Sequence, residues 1–225
     1  MMQERKKQNK NKAVTDPPKR SVLEEIGNSV THGVGALLSV AAMVLMFIGA
    51  DRAEEYVGAA VYGVGLFIMF TMSCLYHAFS HGSVVKRLFR RFDYSCIYLL
   101  IGATFAPILI AYIGGLYGYA FLIVQWCVII FGITLISVFS PARFRGLHIA
   151  LYFILGWSGL MLLPEMFKSG DVEFLFWILG GGVVYSLGIV PFAMHKRASH
   201  FIWHFFVIFG AVVQWVGVYT QIYTA

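Results

Sequence analysis

Charged side chains are scarce in this chain of 225 residues, where they make up 12% of the sequence. An average soluble domain carries about 25% charged residues, so there are too few polar groups here to cover a globular surface in water. The scarcity also excludes a disordered, coiled-coil or collagen-like chain. Cysteine is rare as well: the three cysteines form no CxxC motif, and their odd number argues against a disulfide framework. Apolar residues dominate instead, at 59%, which indicates an integral membrane protein.

Seven long apolar segments account for most of the sequence. A helix needs roughly 20 apolar residues to cross a bilayer, and backbone groups in lipid must hydrogen-bond within their own segment. We therefore predict an all-α bundle of seven transmembrane helices in residues 23–225, preceded by a disordered basic tail in residues 1–22. The predicted spans are residues 33–50, 57–79, 94–113, 118–139, 147–164, 174–193 and 200–222.

The basic residues between these segments indicate how the bundle is oriented. Of the 17 Lys and Arg residues, 15 fall in the tail or in the loops after the second, fourth and sixth spans. The positive-inside rule then places the N-terminus in the cytoplasm and the C-terminus outside, in a multi-pass protein of the plasma membrane. The net charge of +6 thus reflects orientation. We predict membrane lipids as partners and no nucleic acid, and the sequence sets no oligomeric state.

All seven histidines fall on the side of the membrane that carries the basic residues. Asp93 stands at the start of the third predicted span, on that same side. Ionisable groups at membrane depth are costly, so they favour a functional role. His200 and His204 are four residues apart, share a helix face, and can bind one metal ion as neutral imidazoles. His148 and His195 are expected at the membrane interface.

Further polar side chains lie at matching depth on the other helices. These are Asn28 and His32 just before the first predicted span, Ser73 and His77 in the second, and Asp93 on the third. Three imidazoles with an open fourth position form the usual catalytic zinc site. The spacing predicts such a site but does not choose among His77, His81 and His32 for the third ligand.

Three motifs resemble those of the hemolysin III family. They are Glu25-x2-Asn28-x3-His32, Ser73-x3-His77 followed by Asp93, and His200-x3-His204. The resemblance extends from about residue 22 over nearly the whole chain. That family belongs to the group of progestin and adiponectin receptors and is more distantly similar to alkaline ceramidases, so it also implies a bundle of seven helices.

The resemblance implies a zinc ion held by His77, His200 and His204. It further implies that Asp93 and Ser73 act on the catalytic water, and that Glu25, Asn28 and His32 lie around the ligands or at the entrance of the site. The leading hypothesis is a zinc-dependent hydrolase that cleaves a lipid amide or ester near the cytoplasmic leaflet. The alternatives are a membrane-homeostasis or receptor-like protein with structural zinc, and a cytolytic pore former of the kind the family name describes.

Overall fold

Seven helices run through residues 17–194 and 196–224, which are the residues described by this computed structural model. Each is long and apolar enough to cross a membrane, and the described residues contain no strand, so the predicted all-α seven-helix fold is confirmed. The predictions for the first 16 residues of the tail and for His195 lie outside the described residues. The helices are α1 (Val22–Gly49), α2 (Ala53–Ala78), α3 (Val84–Ile113), α4 (Gly115–Phe139), α5 (Arg145–Ser169), α6 (Val172–Ala193) and α7 (Ser199–Tyr223).

Helices α1 and α3 begin about ten residues earlier than the sequence analysis predicted. Each starts with a serine cap: the Oγ atom of Ser21 accepts from the backbone N–H of Glu24, and that of Ser83 accepts from the N–H of Lys86. A serine in this position satisfies a backbone donor that the first helical turn leaves free. The capped turns are polar, so hydropathy alone missed them. The early start places Glu25 and Asp93 inside helices.

Alternate helices begin and end at one end of the bundle, which we call the basic end. There, Arg145 at the start of α5 donates to the backbone oxygen of Phe192 at the end of α6. Arg91 in α3 likewise donates to the backbone oxygen of Ser137 at the end of α4. The basic end therefore gathers the starts of α1, α3, α5 and α7 and the ends of the other three helices.

Glycines allow close helix contacts where the bundle is tightest. Helix α1 packs against α2, and α6 packs against α7. A Cβ atom added at Gly35 on α1 would lie 2.6 Å from the Phe70 ring of α2. One added at Gly188 on α6 would lie 2.6 Å from the Cβ atom of Phe206 on α7. Small residues at such contacts let helix backbones approach closely in a membrane.

A cavity with apolar walls opens where α5 packs less closely against its neighbours. Its walls come from α3, α5, α6 and α7, and include Ile101, Phe153, Trp157 and Trp203. Phe192 also lies on its wall and contacts the ring of His200, with centroids 6.1 Å apart. Phe192 therefore lies between this cavity and His200 at the basic end.

Candidate metal centre at the basic end

Three histidines converge at the basic end, within two helical turns of the helix ends. His77 comes from the last turn of α2, while His200 and His204 come from the first two turns of α7. One ring nitrogen of each lies within 4.8 Å of the others, and the Nε2 atoms of His77 and His200 are 3.3 Å apart. His77 and His204 are buried and His200 is half-buried. The structure thus brings together the three histidines that the resemblance implied as ligands.

One distance within this cluster matches the ligand spacing of a tetrahedral metal site. Zn–N bonds of about 2.0–2.1 Å in tetrahedral geometry place two ligand nitrogens about 3.3–3.4 Å apart. The distance between His77 and His200 matches that spacing. Three imidazoles are also the donor set of catalytic zinc sites, which keep a fourth position open. The cluster can hold a metal ion, and its donor chemistry suits zinc.

A half-buried carboxylate orients His77 toward the cluster. The Nδ1–H group of His77 donates to Glu25, with 2.6 Å between Nδ1 and Oε2. Donation from Nδ1 leaves the Nε2 lone pair free to face the other histidines. The Oε1 atom of Glu25 forms an ion pair with Lys86 Nζ at 3.0 Å. Lys86 also donates a hydrogen bond to the backbone oxygen of Phe79.

Lys86 is a residue of the site that the sequence analysis missed, because it was counted only as a loop charge. Its side chain is buried, with 1% exposed. One signal in the sequence could have found it: Lys86, Arg90 and Asp93 are spaced four and three residues apart, which places them on one helix face. That signal required knowing that α3 starts at Val84.

Asp93 and Ser73 form a second polar pair beside the histidines. Ser73 is buried and lies one turn before His77 on the same face of α2. Its hydroxyl lies near the Asp93 carboxyl on α3. Arg90, one turn before Asp93, is within electrostatic range of the same carboxyl. An acid–hydroxyl pair therefore sits at the level of the candidate metal centre.

The remaining residues of the first motif pack around the histidines. The Asn28 Nδ2 atom is 3.3 Å from Nδ1 of His77. The His32 ring stacks on His204, with centroids 3.7 Å apart and planes 20° apart. The group of possible metal donors does not include His32. His81 is exposed in the turn after α2, so of the three histidines that spacing left open, the cluster contains His77.

His148, which the sequence placed at the membrane interface, has a buried side chain. It is 1% exposed, and its Nδ1 atom lies 2.9 Å from the hydroxyl of Tyr98. Because α5 begins at Arg145, His148 lies one turn inside the helix and packs against α3. It forms a separate buried polar pair away from the three clustered histidines.

Comparison with known proteins gives consistent similarities over most of the chain. A family model described as haemolysin-III related matches residues 20–215. Hemolysin-3 of Bacillus cereus is 35% identical over 197 residues, covering 86% of this chain and 89% of the relative. A hemolysin-3 homolog of Bacillus subtilis is 30% identical over 198 residues, covering 86% and 92%. The monocyte to macrophage differentiation factor of Homo sapiens is 25% identical over 214 residues, covering 91% and 87%.

Proposed function

The chain belongs to the haemolysin-III related family of multi-pass membrane proteins, and from that premise we propose that it is a zinc-dependent hydrolase of a lipid amide or ester. One observation carries the proposal: three imidazole donors within 4.8 Å of one another lie beside an acid–hydroxyl pair, and Phe192 lies between His200 and an apolar cavity. His77, His200 and His204 would hold the ion. Zinc supplies Lewis acidity toward a carbonyl oxygen and makes water more acidic near neutral pH.

The protein's own side chains would position and deprotonate the water. The Asp93 carboxylate would act as the general base, and the Ser73 hydroxyl would fix its orientation by donating a hydrogen bond. Glu25 would keep Nε2 of His77 facing the ion through its bond to Nδ1.

The cavity supports a lipid as the substrate. An acyl chain lying among Ile101, Phe153, Trp157 and Trp203 would remain in an apolar environment. Since Phe192 contacts both this cavity and His200, the carbonyl group at the head of that chain would reach the histidines. Membrane lipids are therefore the proposed partners.

We place the basic end in the cytoplasm of a plasma-membrane protein, with the N-terminus inside and the C-terminus outside. The support is the excess of Lys and Arg in the tail and in the loops on that side. In this orientation the candidate metal centre faces lipids of the cytoplasmic leaflet.

Metal analysis and lipid hydrolysis on purified protein test the proposal together. Wild type in detergent should carry about one zinc per chain and release fatty acid from a panel of N-acyl amide and ester lipids. Asp93→Asn should keep the zinc and lose activity by about 100-fold or more, the contribution of a general base. Glu165→Gln, an exposed acid on the opposite side of the bundle, is the matched control. A folded sample that stays metal-free after zinc addition would refute the metal centre, and full activity in Asp93→Asn would refute the mechanism.

A zinc protein without turnover is a second candidate, because a buried metal could also serve only to stabilise the bundle or a receptor-like state. The relative named for monocyte to macrophage differentiation supports a role other than hydrolysis. This candidate predicts bound zinc with no product from any lipid. Comparing the lipids of cells that carry wild type or Asp93→Ala separates it from the hydrolase, since only the enzyme requires a substrate to accumulate.

Cytolysis is a third candidate, favoured by the name hemolysin carried by the two Bacillus relatives. Red-cell lysis by wild type and by His200→Ala tests it. Equal lysis by both proteins would show that lysis does not depend on the histidine cluster.

A further inference from the structure

The segment before α1 brings a positive charge to the candidate metal centre. Pro17 is buried, and Arg20 directly precedes the serine cap of α1. The Arg20 guanidinium is within electrostatic range of His77, His200 and His204. It also contacts the hydroxyl of Tyr76, next to His77 on α2. The sequence analysis counted Arg20 only as one of the charges of the tail.

One nitrogen of the Arg20 guanidinium lacks a hydrogen-bond acceptor among the described residues. The Nη1 atom of Arg20 is buried and has no hydrogen-bond partner among residues 17–194 and 196–224. A buried donor without an acceptor is costly, more so when it is charged. The planar guanidinium matches the oxygens of a carboxylate or a phosphate. An oxyanion from outside the protein would supply the missing acceptor.

The charges around the site favour the same class of ligand. Among the described side chains there, Arg20, Lys86 and Arg90 are cationic, whereas Glu25 and Asp93 are anionic. Glu25 is already engaged by Lys86 and His77. A divalent ion on the histidines adds two further positive charges. Because charges interact strongly in a low-dielectric interior, this excess would attract an anion.

We propose that Arg20 binds the carboxylate or phosphate of an amphiphile whose apolar chain lies in the adjoining cavity. Arg20 thereby selects anionic lipids over neutral ones. The inference rests on the proposed function in taking a lipid as the ligand, but it requires no turnover. Recognition by Arg20 is therefore measured by binding.

Equilibrium binding to the zinc-loaded full chain tests this role. The probes are octyl phosphate, octanoate and 1-octanol, with inorganic phosphate as the anion without a chain, in a maltoside detergent that contributes no oxyanion. Wild type should bind the two charged amphiphiles at least about tenfold more tightly than 1-octanol, and Arg20→Gln should lose about 10- to 100-fold of that affinity, the range for one charge-assisted hydrogen bond. Lys19→Gln, at the exposed neighbouring position, should bind like wild type. If inorganic phosphate displaces the charged amphiphiles from wild type but not from Arg20→Gln, Arg20 binds a free anion as well as the headgroup of a lipid.

Three results would overturn the inference. They are an unchanged affinity in Arg20→Gln, an equal loss for 1-octanol, and an equal loss in Lys19→Gln. Zinc content and thermal unfolding are measured on each variant. If Arg20→Gln does not fold, Arg20→Lys decides: it keeps the charge without the planar fork, so it should retain part of the preference for anions, and a full or absent preference contradicts the role. The zinc-loaded wild type could hydrolyse no lipid and still lose its anion binding on Arg20→Gln. That result would refute the hydrolase and leave this inference standing.

Discussion

Replacing Glu25 with Gln should lower both the metal affinity of the site and the stability of the bundle. The change keeps the size of the side chain and removes the charge that holds Nδ1 of His77 and Nζ of Lys86. Residues that orient a metal-binding histidine are worth about 10- to 100-fold in metal affinity. We expect Glu25→Gln to weaken zinc binding within that range, measured by competition with a chelator.

Stability should fall as well, because Lys86 would remain charged and buried without its partner. Removing one partner of a buried ion pair costs about 3–5 kcal/mol. Glu25 is 15% exposed and Lys86 keeps its bond to the backbone of Phe79, so we expect the lower limit, about 3 kcal/mol. For a chain of this size that loss lowers Tm by about 6–12 °C.

The double variant Glu25→Gln/Lys86→Met distinguishes the two effects. Removing the buried charge should restore most of the Tm while zinc affinity stays low, since His77 still lacks its carboxylate. Glu24→Gln, the neighbouring acid, is the matched control and should change neither quantity. If Glu25→Gln binds zinc as tightly as this control, the orientation of His77 by Glu25 is not what sets the affinity.

Two further predictions test the cluster and the packing that supports it. His200→Ala should reduce bound zinc from about one per chain to near zero by elemental analysis, whereas His81→Ala, at an exposed position, should keep it; equal zinc in both would rule out the cluster. Gly181→Ala should lower stability by about 1–3 kcal/mol, because its Cβ atom would lie 2.2 Å from the Gln214 side chain. Gly182→Ala meets nothing within 4 Å and should not lower Tm; thermal unfolding that falls equally in both variants would contradict the close contact.

The number and type of the helices followed from the sequence. A run of about 20 apolar residues forms a helix in lipid, because a helix makes all backbone hydrogen bonds within its own segment. The starts of α1 and α3 did not follow, since their first turns are polar and are held by the caps at Ser21 and Ser83. Hydropathy measures transfer into lipid and carries no information on where a capped polar turn begins a helix.

The candidate ligands followed only in part. The spacing of four residues placed His200 and His204 on one face, but periodicity could not choose among His77, His81 and His32. The choice depends on where α2 stops: it ends at Ala78, so His77 stays on the helix and His81 falls in the exposed turn. His32 lies in the same layer but stacks on His204.

By itself, the sequence determined seven membrane-crossing helices and the residue types from which a metal centre could be made. It did so because hydrophobic length and helical period are local properties. Only the tertiary structure decided which histidines lie together and that Glu25 contacts both Lys86 and His77. It also decided that Arg20 lies within electrostatic range of His77. These contacts join residues more than 45 positions apart in the chain, where distance is set by how the helices pack.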